Sequence, residues 1–396
     1  MTGDPSRTVA VLFGGRSLEH DVSVVSGLQV LHALDPDACA PLPIYIDHAN
    51  RWWMGDDLWH REAFGGGGPD RSRLTEVMLG PGFGTSALVP AGGSLHVPGR
   101  AVRVDVFVPV LHGTFGEDGC VQGLLDLGGC AYVGSGVLAS AIGMNKGVTK
   151  ALAARVGVPV VPWLSFDRGV LEHGASWLKE LPARVEDTFG WPVIVKPCNL
   201  GSSAGVSVAS SPDELVAGVL NVFEYDVEAL IEPFIRNRLE LNVAVAGLDE
   251  PVASVTEMPV TQQESPLTFS EKYRKEGRKT VGSIEGMAGA LRVLDPEDLP
   301  LEMRERARQL ATTVFTLLGC EGISRVDFLI DVDRNALYFN EINTLPGSLA
   351  FYLWSAAPHF WTLTELLLKL IQRAERISAT RRGLQRRPPA ELRLLS

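Results

Sequence analysis

The sequence predicts an α/β protein of two or three domains, and three observations carry that expectation. The chain has 396 residues, where a domain takes about 100–200. Hydrophobic residues make up 45% and charged residues 21%, which suits buried cores of that size. Short, fully apolar runs alternate with helix-like stretches and end in Gly-rich polar loops. That is the pattern of sheets covered on both faces, with ligands at the strand ends.

In order, the apolar run 9–13 stops at Gly14 and Gly15 and leads through Ser17 and Glu19 into a helix over 22–34. Residues 42–46 make a second apolar run, followed by a turn at Trp52 and Trp53. The Gly/Pro-rich segment 64–100 reads as an insert of surface hairpins, with weak strands at 77–79 and 87–89. The apolar strand 104–111 delivers the chain to the loop 112–119, His-Gly-Thr-Phe-Gly-Glu-Asp-Gly, ahead of another helix. A helix over 143–156 ends near Gly157 and Pro159, and strand 191–196 then runs into the Gly/Ser loop 197–205, opening a second sheet. Strands are expected at 230–232 and 240–246, about a polar turn. Residues 261–290 are polar and weakly patterned, which suits a lid over a site. A helix over 301–318, a strand pair at 324–330 and 337–340, and a helix over 362–376 complete the pattern. The Arg- and Pro-bearing tail 377–396 is expected to be disordered.

Lys and Arg number 36 against 47 Asp and Glu, and the net charge of -11 argues against nucleic acid or an anionic membrane as a partner. Five scattered cysteines with no CxxC pair read as reduced thiols. No apolar run reaches the length of a membrane span and no leader pattern precedes residue 9, so a cytoplasmic protein is expected.

The last strand pair concentrates chemistry. Alternation puts Arg325 and Asp327 on one face, and likewise Glu341 and Asn343 on the neighbouring strand. Two carboxylates and an amide oxygen suit Mg²⁺ bridging nucleotide phosphates, and a guanidinium suits a developing oxyanion. Taken alone, these residue types suit a salt bridge on a solvated edge equally well. Lys196 ends an apolar strand ahead of Gly201, Ser202, Ser203 and Gly205, whose backbone N–H groups can wrap phosphates or form a mere surface turn. Glu232 and Glu240 flank a strand-turn-strand where an adenine amino group and ribose hydroxyls could be read. His112 ends a strand before a Gly loop, as a ligand or as a loop cap. No GKS or GKT, GxGxxG or HExxH occurs, so a P-loop ATPase, a dinucleotide dehydrogenase and a zinc hydrolase lose support.

Taken together these segments resemble the D-alanine–D-alanine ligase family of ATP-grasp enzymes, in order from Val9 to Arg376. The resemblance rests on Phe13-Gly-Gly-Arg-Ser-Leu-Glu-His-Asp-Val-Ser23, the 112–119 loop, Gly134-Ser-Gly136 with Met144-Asn-Lys146, and the 196–205 loop. It continues in Glu271-Lys-Tyr273, Arg325-Val-Asp327 and Asn340-Glu-Ile-Asn-Thr-Leu-Pro-Gly347. It implies a three-domain ATP-grasp fold, with an N-terminal α/β domain over 1–134 and two α+β units, 135–237 and 238–376, clasping ATP. By resemblance Lys146, Lys196, Ser203 and Lys272 hold ATP, Glu232 and Glu240 read its adenine and ribose, and Asp327, Glu341 and Asn343 bind two Mg²⁺, for which Mn²⁺ can substitute. Arg325 and the Gly347 N–H would face the tetrahedral oxyanion. Glu19 would anchor the first substrate's ammonium with His112 nearby, and Glu19, Ser202 and Tyr273 would close the 261–290 lid, keeping water off an acyl phosphate. Small amino acids are the implied substrates and a homodimer the implied assembly.

Relatives that make a depsipeptide ester generally lack this loop Tyr and use a His in its region; Tyr273 therefore favours an amine acceptor. After Gly347 the sequence departs from the family's Gly-(Phe/Met)-Thr stretch. Tyr352 stands where a Ser is usual, Leu353 occupies the apolar position, and the acceptor's carboxylate contact is altered or moved to Ser348. Leu200 also replaces an acidic residue common in the 196–205 loop. The expected function is ATP-dependent joining of two D-alanines for peptidoglycan precursor synthesis. The alternatives are a ligase of specialised metabolism with another amine acceptor and a catalytically silent nucleotide-binding homologue.

Overall fold

In a computed structural model, which describes residues 7–80, 82, 84–91, 101–173, 175–260, 292–356 and 358–385, the first apolar run forms β1 (Arg7–Gly14). It is buried on both faces: Val9, Val11 and Phe13 pack in one cluster with Val24 and Leu28 of α1 (His20–Ala33), while Ala10 and Leu12 pack in another with Val121 and Leu125 of α2 (Cys120–Leu127). Covered faces explain why the strand is apolar throughout. β1 pairs in parallel with β2 (Cys39–Ile46) and β7 (Val106–Pro109). Trp52 and Trp53 lie in a strand, β3 (Trp52–Met54), not in a turn. The insert's hairpins are not a separate surface feature either: β4 (Thr75–Leu79), β5 (Ala87–Pro90) and β6 (Val102–Arg103) continue the same sheet, in the order β6-β5-β4-β3-β2-β1-β7. Buried Val77 and Leu88 supply the apolar side chains that hold them there.

The expected helix over 143–156 is two helices, α3 (Val137–Met144) and α4 (Lys146–Arg155). Asn145 breaks them: its backbone is extended, and its side-chain oxygen accepts the Val148 N–H as the N-cap of α4. A four-stranded sheet follows, ordered β10-β9-β11-β8 from β8 (Leu164–Asp167), β9 (Val193–Pro197), β10 (Ser207–Ala209) and β11 (Glu228–Pro233). Its Val193, Val195 and Ile231 pack with residues of α5 (Ala175–Phe189) and α6 (Pro212–Val222). That leaves Ile194, Lys196, Leu230 and Glu232 on the other face.

The five-stranded sheet comprises β12 (Arg238–Gly247), β13 (Pro251–Pro259), β14 (Arg292–Leu294), β15 (Gly322–Asp331) and β16 (Ala336–Asn343), ordered β14-β13-β12-β15-β16 and antiparallel throughout. Leu241, Val243, Val326 and Phe328 pack with Ala307, Leu310 and Val314 of α7 (Leu301–Leu317), so the opposite face carries the polar residues. The last helix, α8 (Leu363–Arg382), runs six residues past the expected end. Ser378 is buried in that extension, Arg381 bonds Asp126, and only 386–396 of the expected tail lies outside the described residues. A capping box between Thr362 and Glu365 starts this helix. All five cysteines are free. Among the described residues no helix is long and apolar enough to cross a membrane.

Two close backbone approaches require glycine. A Cβ on Gly322, at φ +71°, would lie 2.5 Å from the Gly134 Cα, where the first domain meets β15. A Cβ on Gly27 of α1 would lie 2.4 Å from the Phe13 Cβ. Gly27→Ala therefore separates α1 from β1, and a loss of about 1–3 kcal/mol is expected. Urea unfolding checks it; unchanged stability would show that the helix and strand can part without cost.

Candidate active site

Strand register assembles the first half of the site. In the β15/β16 hairpin Arg325 lies opposite Asn343 and Asp327 opposite Glu341, with a bulge just after Asp327. The Arg325 guanidinium donates to both Asp327 oxygens at 2.7 Å, and Asn343 Nδ2 donates to the same carboxylate at 3.0 Å. Burial opposes the charge on Arg325, but the Asp327 carboxylate beside it holds its pKa well above the ordinary value. The same cross-strand row continues into β12 and β13, since Asn242 pairs with Asp327 on one side and Glu257 on the other.

The second half comes from α4, the 197–205 loop and β11. Lys146 Nζ donates to the Leu200 carbonyl at 2.6 Å and lies 3.1 Å from Glu341. Lys196 Nζ donates to Glu232 at 2.7 Å and to Asn340 Oδ1 at 3.2 Å. A cleft beside Lys146 is lined by Lys146, Leu200, Gly201, Glu341, Asn343 and Glu117 among others. Ser202 and Ser203 adopt left-handed backbone at φ +54° and +60°. Glu240 lies two residues before Asn242 on β12, exposed and on the same face as Asp327. Glu232 differs from the expectation that it faces a base: both its oxygens meet lysines, Lys150 at 2.6 Å and Lys196 at 2.7 Å. Burial alone would raise its pKa, yet the two ammonium charges pull it down to about 2.

At the other end Ser202 donates to the Glu19 carboxylate. Gly113, at φ +75°, passes so close that a Cβ there would lie 2.9 Å from Glu19 Oε2. His112 is buried. Its Nδ1 bonds the Leu345 carbonyl at 2.9 Å and its Nε2 meets Ser26 Oγ at 3.1 Å, while Ser26 Oγ accepts the Ser348 N–H at 3.0 Å. Burial lowers the His112 pKa. The chain between Gly347 and Trp354 is a 3-10 turn with Ser348, Leu349 and Ala350 left-handed, and Ser348 Oγ is buried with no hydrogen-bond partner among the described residues. Tyr352 Oη donates to Glu257 at 3.2 Å, Arg292 pairs with Glu257 at 2.6 Å, and its guanidinium lies 3.7 Å from the Tyr352 ring centroid. The Leu353 side chain is fully buried in the core, which leaves its backbone as the group it can offer a ligand. Lys272 and Tyr273 lie outside the described residues.

Glu117, Lys150, Asn242 and Glu257 were not singled out in the sequence. Glu117 stands in the 112–119 loop, and Lys150 lies four residues after Lys146 on one helix, so both had a spacing signal. Glu257 had none, since its partners come from three other segments.

The polar donors suit Mg²⁺. Two carboxylates and an amide oxygen are hard ligands that leave positions for phosphate oxygens and water. Among the described residues no cluster of three or more His, Cys, Asp or Glu forms a closed metal cage. Lys146 of α4 and Lys196 of β9 reach the β15/β16 hairpin at Glu341 and Asn340, an arrangement that fits a ligase of the ATP-grasp fold, the fold of the solved structures this chain resembles. The chain matches models of the D-ala D-ala ligase N-terminus over 8–135 and C-terminus over 152–372, and it belongs to the D-alanine–D-alanine ligase family. It is 38% identical to a D-alanine–D-alanine ligase of Kineococcus radiotolerans, covering 95% of this chain and 98% of that protein. It is 37% identical to D-alanine–D-alanine ligase A of Bradyrhizobium diazoefficiens, covering 96% and 97%. Among solved structures, the D-alanine-D-alanine ligase of Coxiella burnetii superposes with a TM-score of 0.76 at 29% identity, covering 96% and 97% of the two chains. The VanG D-Ala:D-Ser ligase of Enterococcus faecalis does so with 0.74 at 25%, covering 93% and 99%. These ligases are ATP-dependent, which implies ATP and a divalent metal.

Glu117 gives this site a pH signature. Its carboxyl accepts the N–H groups of Gly113 at 2.8 Å and Leu345 at 3.1 Å, tying the 112–119 loop to the end of β16. Burial, then the nearby Glu19 charge, push its pKa up to about 8 from 4.5. The folded chain thus keeps a proton that the unfolded chain loses. This stabilisation is complete below the unfolded pKa and is lost as pH rises through about 8. Glu117→Gln should remove that part of the decline in unfolding free energy across this window; identical slopes in the two proteins would refute it.

Proposed function

We propose that this protein is an ATP-dependent ligase that joins two D-alanines through an acyl phosphate, for peptidoglycan precursor synthesis in the cytoplasm. The observation that carries the reading is the β15/β16 hairpin: Arg325 held bidentately beside Asp327, with Glu341 and Asn343 across from them, at a cleft walled by Lys146. The units 1–134, 135–237 and 238–376 are taken as its three domains.

Glu19 takes the ammonium of the first D-alanine, and His112 fixes the backbone behind it. The substrate carboxylate attacks the γ-phosphate of ATP, an O–P bond forms, and ADP leaves. Lys146, Lys196, Lys272 and the backbone at Ser203 hold the phosphates, Glu240 reads the ribose, and Asp327, Glu341 and Asn343 would hold two Mg²⁺, or Mn²⁺. The metal supplies positive charge against the phosphate oxygens. The amine of the second D-alanine then attacks the acyl carbon, a C–N bond forms, and Arg325 with the Gly347 N–H stabilises the oxyanion. Collapse breaks the C–O bond, releases inorganic phosphate, and the attacking nitrogen loses its extra proton. Glu19, Ser202 and Tyr273 link the closed lid to the first substrate.

Tyr352 supports a second reading, a different amine acceptor. Its hydroxyl has one proton to donate and Glu257 accepts it, so Ser348 or the Leu353 backbone must receive the acceptor's carboxylate. Steady-state ADP and phosphate release from ATP, Mg²⁺ and D-alanine, with the product identified by mass, separates the two. Dipeptide is expected, with Arg325→Ala and Glu341→Gln each slower by about 100-fold or more. Near-normal rates in both variants would sink the site assignment, and ADP formation without dipeptide would move the weight to another acceptor.

We also propose a homodimer. Leu124 and Leu127 of α2 and Val137 and Leu138 of α3 are exposed on adjoining helices, an apolar patch suited to a second copy. Light scattering should report a dimer, and Leu127→Glu with Leu138→Glu a monomer; a monomeric wild-type protein refutes it.

A further inference from the structure

We propose that Lys150 is a positioning residue of the nucleotide site, keeping Glu232 ionised and in place while Lys196 passes from that carboxylate to an ATP phosphate. The inference rests on Lys196 being a phosphate ligand, as proposed above.

Lys150 lies one turn after Lys146 on α4, so the two side chains leave the same helix face. Lys150 Nζ meets Glu232 Oε1 at 2.6 Å, and its other polar neighbour is the Phe339 carbonyl at 3.5 Å. Lys196 takes the second oxygen of Glu232 at 2.7 Å. The side chains of Lys150 and Glu232 are each 1% exposed, whereas that of Lys196 is 10% exposed. The further charge acting on the cluster is Glu341, across from β9 on β16. Burial opposes the charge on Lys150 and the Glu232 carboxylate supports it.

One carboxylate thus serves two ammonium groups, and the trio carries one net positive charge. A polyphosphate can draw one cation away and leave a neutral pair behind. The Lys196 side chain is partly exposed and can leave; that of Lys150 is enclosed and cannot. Without Lys150, departure of Lys196 strands a buried carboxylate, which takes up a proton rather than remain charged and alone. Lys196 is then contested between carboxylate and phosphate, and nucleotide binds less tightly.

Calorimetric titration with Mg-ATP, near neutral pH and in two buffers of different ionisation enthalpy, reads both affinity and proton uptake. The wild-type protein should show no uptake from this cluster. Lys150→Met should bind nucleotide about tenfold more weakly or worse, with uptake approaching one proton per nucleotide. Lys150→Arg, which keeps the charge, should bind within about threefold of wild type. Adding Glu232→Gln to Lys150→Met should recover most of the lost affinity, because no carboxylate remains to be neutralised. Lys150→Gln serves as the uncharged variant if Lys150→Met does not fold. Wild-type affinity and no proton uptake in the uncharged variant overturn the inference, as does a double variant no better than the single. Absence of nucleotide binding by the wild-type protein overturns the functional reading itself, and this inference with it.

Discussion

The pairing of β15 with β16 is the constraint on which the site depends. Because side chains alternate along a strand, one register places Val326 and Ile342 together toward α7 and Arg325, Asp327, Glu341 and Asn343 together toward the cleft. A slip of one residue would bury the charges under α7 and expose the apolar set. The core that packs on α7 therefore also aligns the reacting groups, and stability and site geometry are one requirement. The bulge leaves Asn340 of β16 unpaired and so brings Phe339 into the α7 cluster opposite Phe328 without disturbing the polar row.

Around that hairpin the site holds its charges in matched pairs. Arg325 sits on Asp327, Lys146 on Glu341, and Lys196 with Lys150 on Glu232. Buried cations without such partners would lose their protons or point elsewhere. The carboxylates thus keep the ammonium groups charged and gathered, which on the proposed reading readies them for a nucleotide's phosphates. A phosphate brings what the carboxylates supply, anionic oxygens, so the exchange costs little reorganisation. Glu117 is the contrast: its burial and the nearby Glu19 charge outweigh the two backbone N–H groups and the Arg325 charge that favour its ionised form, so it is held as a neutral acid.

Much of this was legible in the sequence where one rule dominated. Period-two alternation and a short turn predicted the hairpin and the shared face of Arg325 and Asp327, and Gly-rich loops after apolar strands marked 112–119 and 197–205. Where two rules competed, the sequence misled. Helical periodicity runs from 143 to 156, but the capping side chain of Asn145 ends one helix and starts the next. The 64–100 insert has the Gly and Pro content of surface hairpins, yet Val77 and Leu88 draw its strands into the main sheet. The polar, Arg-bearing stretch after 377 looks unstructured alone but extends α8, where buried Ser378 and the Arg381–Asp126 contact hold it. Lys196 and Glu232 were each singled out in the sequence, but not their contact with one another or with Lys150, which stands 82 positions before Glu232.

The Glu257–Tyr352–Arg292 cluster shows why the acceptor end does not follow from a motif at a single position. Tyr352 is a large ring with one hydroxyl, and a buried hydroxyl needs a partner. Glu257 provides it, but a buried carboxylate in turn needs a cation, and Arg292 supplies that while covering the Tyr352 ring. Asn242 completes the set and joins it by strand register to Asp327. Four residues from four segments thus satisfy one another's polar groups. Substituting Tyr352 by the family's usual Ser would free the Glu257 oxygen and leave Arg292 without its ring, so the pocket would not revert to the family's arrangement by that change alone. If Tyr352 borders the acceptor, as the proposed reading has it, acceptor recognition belongs to the cluster, which the sheet joins to the row of Asp327.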